Sequence, residues 1–240
     1  MQTTELPRKS ALLSNFSGVN AKIQKACAAA GKNPSEVELL AVTKYAADSD
    51  VRLLIEAGAL RLAGENKVQD AKAKWTGGAL AALRPSVQLH FIGHLQTNKA
   101  RVAVETFDWI DSIDSLKIAS EVNRHAAALG KVMPVLIQLK LTAVAAQSGI
   151  APENAGELLA AARGLKNLSV RGYMGIAPET AGPEELLKIF SDAKNLFDRD
   201  FTGADGQGLK NYLSLGMSGD YELAVRAGSN LPRIGSAFFA

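Results

Sequence analysis

The chain holds a single cysteine, Cys27, in 240 residues. An intrachain disulfide and a multi-cysteine metal site are therefore excluded, and a reducing compartment is the expected home. Histidine is scarce as well: His90, His94 and His125 show no metal-ligand spacing. No apolar run is long enough to span a bilayer. The N-terminus, Met1 to Ser10, carries charge and Pro7 but lacks the apolar segment of a secretory signal. No G-x-S-x-G, Walker or zinc-finger pattern occurs. The formal charge is only +3, with no block of one sign and no basic tail. Neither nucleic acid nor a membrane is an expected partner, and a cytoplasmic location is expected.

Apolar residues make up 47% of the chain, enough for a full core. They fall into eight short strand-like runs: Val37–Tyr45, Leu60–Asn66, Val87–Gly93, Trp109–Ile113, Met133–Leu141, Ser169–Ile176, Asn211–Met217 and Pro232–Phe238. Several are continuously apolar, as in VELLAV and MPVLIQL, the pattern of parallel strands buried on both faces. Between them lie amphipathic segments at Asp48–Ala57, Ser115–Leu129, Glu153–Leu165 and Pro183–Phe201. Start signals stand at Asp48 or Ser49, Thr97, Ser115 and Pro152, and Gly58, Gly130 and Gly164 mark ends. Eight βα units at roughly 25 residues each predict a small α/β (β/α)8 TIM barrel. An extra N-terminal helix, about residues 12–30, precedes a barrel over about 37–240, and the whole of 1–240 reads as a single domain. An open doubly wound sheet would carry a glycine-rich turn after its first strand; here that strand ends in VTKY. Gly203–Gly208 reads as a surface loop.

A barrel's chemistry sits at the C-terminal ends of its strands. Lys44 closes the first strand, after LLAVT. Apolar walls around its stem would lower its pKa and make it a nucleophile towards an aldehyde. Position alone favours a solvated lysine. The ends of strands seven and eight, GMSGD and GS, shift the balance, because barrels build phosphate cradles from such turns. Ser218 is placed there as hydroxyl donor and helix N-cap, and Gly219 permits close backbone approach. Arg233 lies within the last strand, where a guanidinium needs a partner: either a buried ion pair or a ligand. His90 reads equally as a satisfied barrel histidine or a ligand contact. His125 reads as surface, and Lys99 and Arg101 as a solvated face. Tyr45 follows Lys44 on the same expected strand and, by alternation, should point away from the mouth.

The motifs LLAVTKY, GENKVQD, HFIGHLQTNKAR, RGYMGI and YLSLGMSGDYELAVRAGSNLPRIGSAFFA, in that order, resemble the pyridoxal phosphate homeostasis protein family. The resemblance runs from about Val37 onward. It implies the fold-type III arrangement of the alanine racemase N-terminal barrel. It implies pyridoxal 5'-phosphate (PLP) as cofactor, in a Schiff base with Lys44. It also implies a phosphate held by Ser218, Gly235 and Ser236, Arg233 facing the pyridine nitrogen, and Asn66 of GENK in the pocket. The role it implies is intracellular cofactor buffering or delivery without strong catalysis, by a monomer that serves PLP-dependent apo-enzymes. Departures exist. The family's Asn, Glu and Lys after strand five are Lys140, Val144 and Gln147 here, Tyr45 replaces a smaller polar residue, and Ser236 stands where threonine is commoner. Two other readings compete. One is a fold-type III enzyme such as an amino-acid racemase, which would need an added β-domain that the sequence does not offer. The other is a cofactor-free Schiff-base aldolase barrel, which usually places its lysine on a later strand.

Overall fold

The computed structural model describes residues 2–144, 147–201 and 209–240. Its eight strands are β1 Leu40–Val42, β2 Leu62–Glu65, β3 Gln88–Phe91, β4 Trp109–Ile113, β5 Met133–Lys140, β6 Leu168–Ile176, β7 Tyr212–Ser214 and β8 Arg233–Ile234. Each coincides with one of the eight apolar runs. All pair in parallel, in the order β7-β6-β5-β4-β3-β2-β1-β8. Helices α2 Asp48–Glu56, α3 Val68–Thr76, α4 Ala100–Thr106, α5 Leu116–Ala128, α6 Ala155–Arg163, α7 Pro183–Asp200 and α8 Tyr221–Ala227 connect successive strands. The one-turn helix α9, Ser236–Phe239, follows β8. This is the (β/α)8 barrel that the alternation of runs predicts.

The sheet is buried on both faces, which is why its strands read as continuous apolar runs. Leu40, Trp109, Leu136, Met174, Tyr212 and Leu231 fill the barrel interior. A larger outer layer, including Val135, Ile137, Val122, Leu159 and Phe190, lies between sheet and helices. His90 belongs to the interior. It is wholly buried, stacks on Trp109 at 5.2 Å, and places Nδ1 2.9 Å from Asp111 and Nε2 3.2 Å from Gln88. It is the satisfied barrel histidine of the two readings.

The seam between β7 and β8 has no strand ladder among the described residues. It is closed by discrete bonds. The Asn230 N–H donates to Leu213 O at 3.1 Å and the Arg233 N–H to Gly216 O at 3.0 Å. Ser229 Oγ accepts from the Leu215 N–H at 3.1 Å. The Arg233 side chain crosses the same seam, donating from Nη1 to Ser214 O at 2.6 Å and Oγ at 2.9 Å, and from Nη2 to Gly175 O at 2.8 Å. Arg233 is thus buried on carbonyls and a hydroxyl and makes no direct ion pair with any described residue.

Several boundaries differ from the sequence expectation. Helix α1 spans Gln2–Ala29, about ten residues longer at its start and running through Pro7. Its first turns are held by ion pairs, Arg8 to Asp50 at 2.7 Å and Glu5 to Arg52 at 2.5 Å, which hydrophobic periodicity does not register. Strands β1, β7 and β8 are shorter than their runs. The expected eighth strand stops at Ile234, opposite Ala41 of β1, and the chain turns at Gly235 into α9. Gly58 and Gly130 end helices in the left-handed region, whereas Gly164 stays right-handed. The expected loop Gly203–Gly208 lies outside the described residues. No described helix is long and apolar enough to cross a membrane.

Strand β6 carries an extra residue against β5 between Val170 and Tyr173. There Gly172 adopts φ +138°, and an added Cβ would sit 1.9 Å from Tyr212 O. We expect Gly172→Ala to destabilise the protein by roughly 2–4 kcal/mol, since strain and overpacking combine. Urea denaturation giving a change below about 1 kcal/mol would show that the bulge relaxes freely.

Candidate cofactor site

The C-terminal ends of β1, β7 and β8 surround a cleft of about 560 Å³. Lys44, Ser218, Arg233, Gly235 and Ser236 all line it, together with Tyr45, Met217, Gly219 and Phe239. Five of the six residues singled out from the sequence therefore meet in one place. Asn66 does not join them. It lines a neighbouring cavity of about 260 Å³ at the ends of β2 and β3, with Lys67, His94, Gln96 and Lys99.

Lys44 differs from expectation in its surroundings. Strand β1 stops at Val42, so Lys44 sits in the turn beyond it and its side chain is exposed, not walled by apolar neighbours. The alternation that should send Tyr45 away from the mouth ends with the strand. Tyr45 instead lines the cleft, 84% exposed, with its ring centroid 5.1 Å from Lys44 Nζ. A lysine over an aromatic face gains a modest cation–π attraction.

What fixes the Lys44 turn is a buried polar cluster beneath it. Glu65 Oε1, at the end of β2, accepts from Thr43 Oγ1 at 2.7 Å and from Trp75 Nε1 at 3.2 Å. Lys74 Nζ lies 3.3 Å from the same carboxylate and donates to Thr43 O at 2.8 Å. Asp48, at the start of α2, is 3.6 Å from Lys74. Glu65 is 3% exposed and Lys74 13%, so this is a largely desolvated ion pair. Sequence reading missed it; the available signal was a carboxylate, Glu65, inside an otherwise buried strand.

Opposite Lys44, the β7–α8 and β8–α9 turns converge. The Gly235 N–H donates to Ser218 Oγ at 3.4 Å. The amides of Ser218, Gly219, Ser236 and Ala237 have no acceptor among the described residues. Ser218 is not a helix cap, as the sequence suggested. Asp220 occupies that position, and its Oδ1 instead accepts from the Met217 N–H at 2.6 Å. At the cleft floor Arg233 is 4% exposed. Burial lowers its pKa to about 10, while Asp111 and Asp220 pull the other way, so it remains a cation at neutral pH. Three of its five N–H groups are bonded to Ser214 and Gly175, and Nε and the second N–H of Nη2 have no acceptor among the described residues.

The remaining candidates lie apart from the cleft. His94 Nδ1 is 3.3 Å from Asp114. His125 is half-buried on α5, and burial and Arg124 lower its pKa. Lys140 and Val144, at the divergent strand-five loop, line a larger depression of about 720 Å³ against α7. No cluster of metal-ligating side chains occurs among the described residues.

The family model described as alanine racemase, N-terminal domain, matches residues 11–240. The pyridoxal phosphate homeostasis protein of Escherichia coli K12 is 38% identical over 232 residues, covering 94% of each chain. Its Pseudomonas aeruginosa counterpart is 37% identical over 230 residues, 96% of this chain and 95% of that one. Among solved structures, PipY of Synechococcus elongatus with PLP bound superposes with a TM-score of 0.75 at 33% identity, covering 91% of this chain and all of that one. Alanine racemase of Clostridium difficile 630 gives a TM-score of 0.69 at 14% identity, covering 95% of this chain but 56% of the racemase, a likeness of fold alone.

The Glu65 cluster yields a direct test. Glu65→Ala leaves Lys74 with only the more exposed Asp48 as counter-charge and takes the acceptor from Thr43 and Trp75, and should cost about 3–5 kcal/mol. Glu65→Gln, which can still accept from Thr43 Oγ1, should cost less. Equal stabilities of both variants and wild type in denaturant titrations would mean the cluster relaxes into solvent.

Proposed function

The chain belongs to the pyridoxal phosphate homeostasis protein family, and we infer from that membership and from the β1–β7–β8 cleft that it binds PLP there and holds or delivers the cofactor. The observation that carries this reading is the convergence of an exposed amine, a cradle of unpaired amides and hydroxyls, and a free guanidinium N–H on one cleft. The cofactor's chemistry when bound is that of an aldehyde conjugated to a pyridine ring, which captures amines.

The residues present fit that group. Lys44 Nζ stands free on one wall to meet an aldehyde. Ser218, Gly219, Ser236 and Ala237 offer amide donors, and two of them hydroxyls, for a phosphate dianion; hydrogen bonds to a charged group are the strong ones. Arg233, held by three carbonyl and hydroxyl contacts, is poised to direct Nε at a ring nitrogen. Its charge would disfavour protonating that nitrogen, which mutes the ring as an electron sink. Asn66 follows β2, the strand beside β1, and in this reading reaches the same cofactor from the adjoining cavity. Residues 1–240 act in this reading as one binding domain and a monomer, in the cytoplasm, with PLP-dependent apo-enzymes as recipients.

An amino-acid racemase would need acid and base on opposite faces of the bound substrate. Lys44 and Tyr45 are adjacent in one turn and approach from the same wall, so Tyr45 does not supply the second face. The relatives' shared name describes cofactor homeostasis and not a reaction.

Purified protein loaded with PLP should be yellow, and borohydride should fix the cofactor's mass on Lys44. An adduct on Lys67, Lys99 or Lys140 would sink the assignment. Lys44→Ala should lose the covalent band while keeping weak phosphate-anchored binding. Ser218→Ala and Ser236→Ala should each weaken PLP binding by about 1–3 kcal/mol; unchanged affinity in both would put the phosphate elsewhere. Holo-protein incubated with L- and D-alanine in deuterated water should show no Cα exchange near about 1 s⁻¹, an ordinary enzyme rate. Exchange at that rate would favour the racemase reading.

A further inference from the structure

Arg8 lies ahead of the region that the family model matches, residues 11–240, and outside the cleft. Its contacts reach both of the cleft's walls. Nε and Nη2 donate to the Asp50 carboxylate, 2.7 Å at the closest approach. Asp50 is in the first turn of α2, just beyond the turn that carries Lys44 and Tyr45. The same Nη2 donates to Phe239 O at 3.0 Å. Phe239 ends α9, whose first residue is Ser236.

Helix α9 is a single turn and cannot satisfy its own last carbonyls. Donors from α1 do so. Asn15 Nδ2 donates to Phe238 O at 3.1 Å, next to the Arg8 bond, and Phe16 packs on Phe238 with ring centroids 5.4 Å apart. The Arg8–Asp50 contact is partly shielded, with the Asp50 side chain 12% exposed. The Asp50 hydrogen bond and charge raise the pKa of Arg8 above its already high value, so Arg8 stays a cation.

We propose that Arg8 is a positioning residue for the cofactor cleft, fixing the separation between the Lys44 wall and the Ser236 wall by bridging α2 to α9. The inference rests on the cofactor reading above. A ligand held at both ends, by its aldehyde at Lys44 and by its phosphate at the opposite turns, gains full benefit only when the two anchors are preset at the right spacing. A planar, forked guanidinium can serve a carboxylate and a carbonyl at once; an ammonium on a flexible stem holds such a geometry poorly. Loosening the bridge should therefore penalise a doubly anchored ligand and spare a singly anchored one.

The experiment compares PLP with pyridoxal, the same aldehyde without the phosphate, on wild type, Arg8→Ala and Arg8→Lys. Binding is followed by absorbance and by borohydride trapping with mass spectrometry at Lys44. In Arg8→Ala the PLP dissociation constant should rise roughly five- to tenfold, the scale of one or two lost hydrogen bonds. Pyridoxal capture should change by less than about twofold, within the reach of minor rearrangement. Arg8→Lys keeps the charge beside Asp50 and so guards against loss of fold. It should keep a thermal midpoint near wild type yet show most of the PLP defect. Equal losses for PLP and pyridoxal would mean general destabilisation and overturn the inference, as would unchanged PLP affinity in Arg8→Ala or full affinity in Arg8→Lys. Failure of wild type to bind PLP at all would overturn the cofactor reading itself, and the inference with it.

Discussion

The barrel closes on a buried guanidinium. Seven of its eight strand neighbours are joined by parallel ladders, but β7 and β8 are not, and Arg233 spans the gap with bonds to Ser214 and Gly175. Those acceptors are neutral. The charge is therefore only partly compensated, by Asp111 and Asp220 at longer range. A buried cation so placed is costly as a structural fastener alone, since an apolar side chain would fill the seam without desolvating a charge. Its cost is understandable if the N–H groups left over serve something that enters the cleft. The same residue thus closes the barrel and forms the floor of its site.

Around that floor, the walls are built from places where regular structure stops. Strand β1 ends at Val42, β7 at Ser214 and β8 at Ile234. The residues just beyond each end carry the amine, the hydroxyls and the unpaired amides. Short strands are what make this so. A longer β1 would have returned Lys44 and Tyr45 to alternate faces, and a longer β8 would have tied the Ser236 amide into a ladder. Beneath the Lys44 turn, Glu65, Thr43 and Lys74 hold the backbone where the strand no longer does.

The likeness to alanine racemase shows how far architecture goes without chemistry. The barrels superpose, yet the chain spans little more than half of the racemase. What the two share is a scaffold that presents strand ends to a common mouth. Function turns on which side chains occupy those ends and on what faces them. Here an exposed lysine stands beside a tyrosine of its own turn, across from amides suited to a dianion.

The order of elements was legible in the residues alone, because parallel strands buried on both faces leave apolar runs that nothing else in the chain imitates. Lys44, Ser218, Gly235 and Ser236 could be singled out for a related reason: strand ends and their small-residue turns are local in sequence. Tertiary structure decided what depends on residues far apart. It exposed Lys44 and turned Tyr45 into the cleft, because β1 ends at Val42. It gave Arg233 carbonyl acceptors from two other strands where a buried ion pair was one of the two readings. It set Asn66 on the adjoining cavity, and it extended α1 through Pro7 by ion pairs to α2. Each of these turns on where a ladder stops or on which distant groups come within hydrogen-bond reach. Periodicity along one segment carries neither.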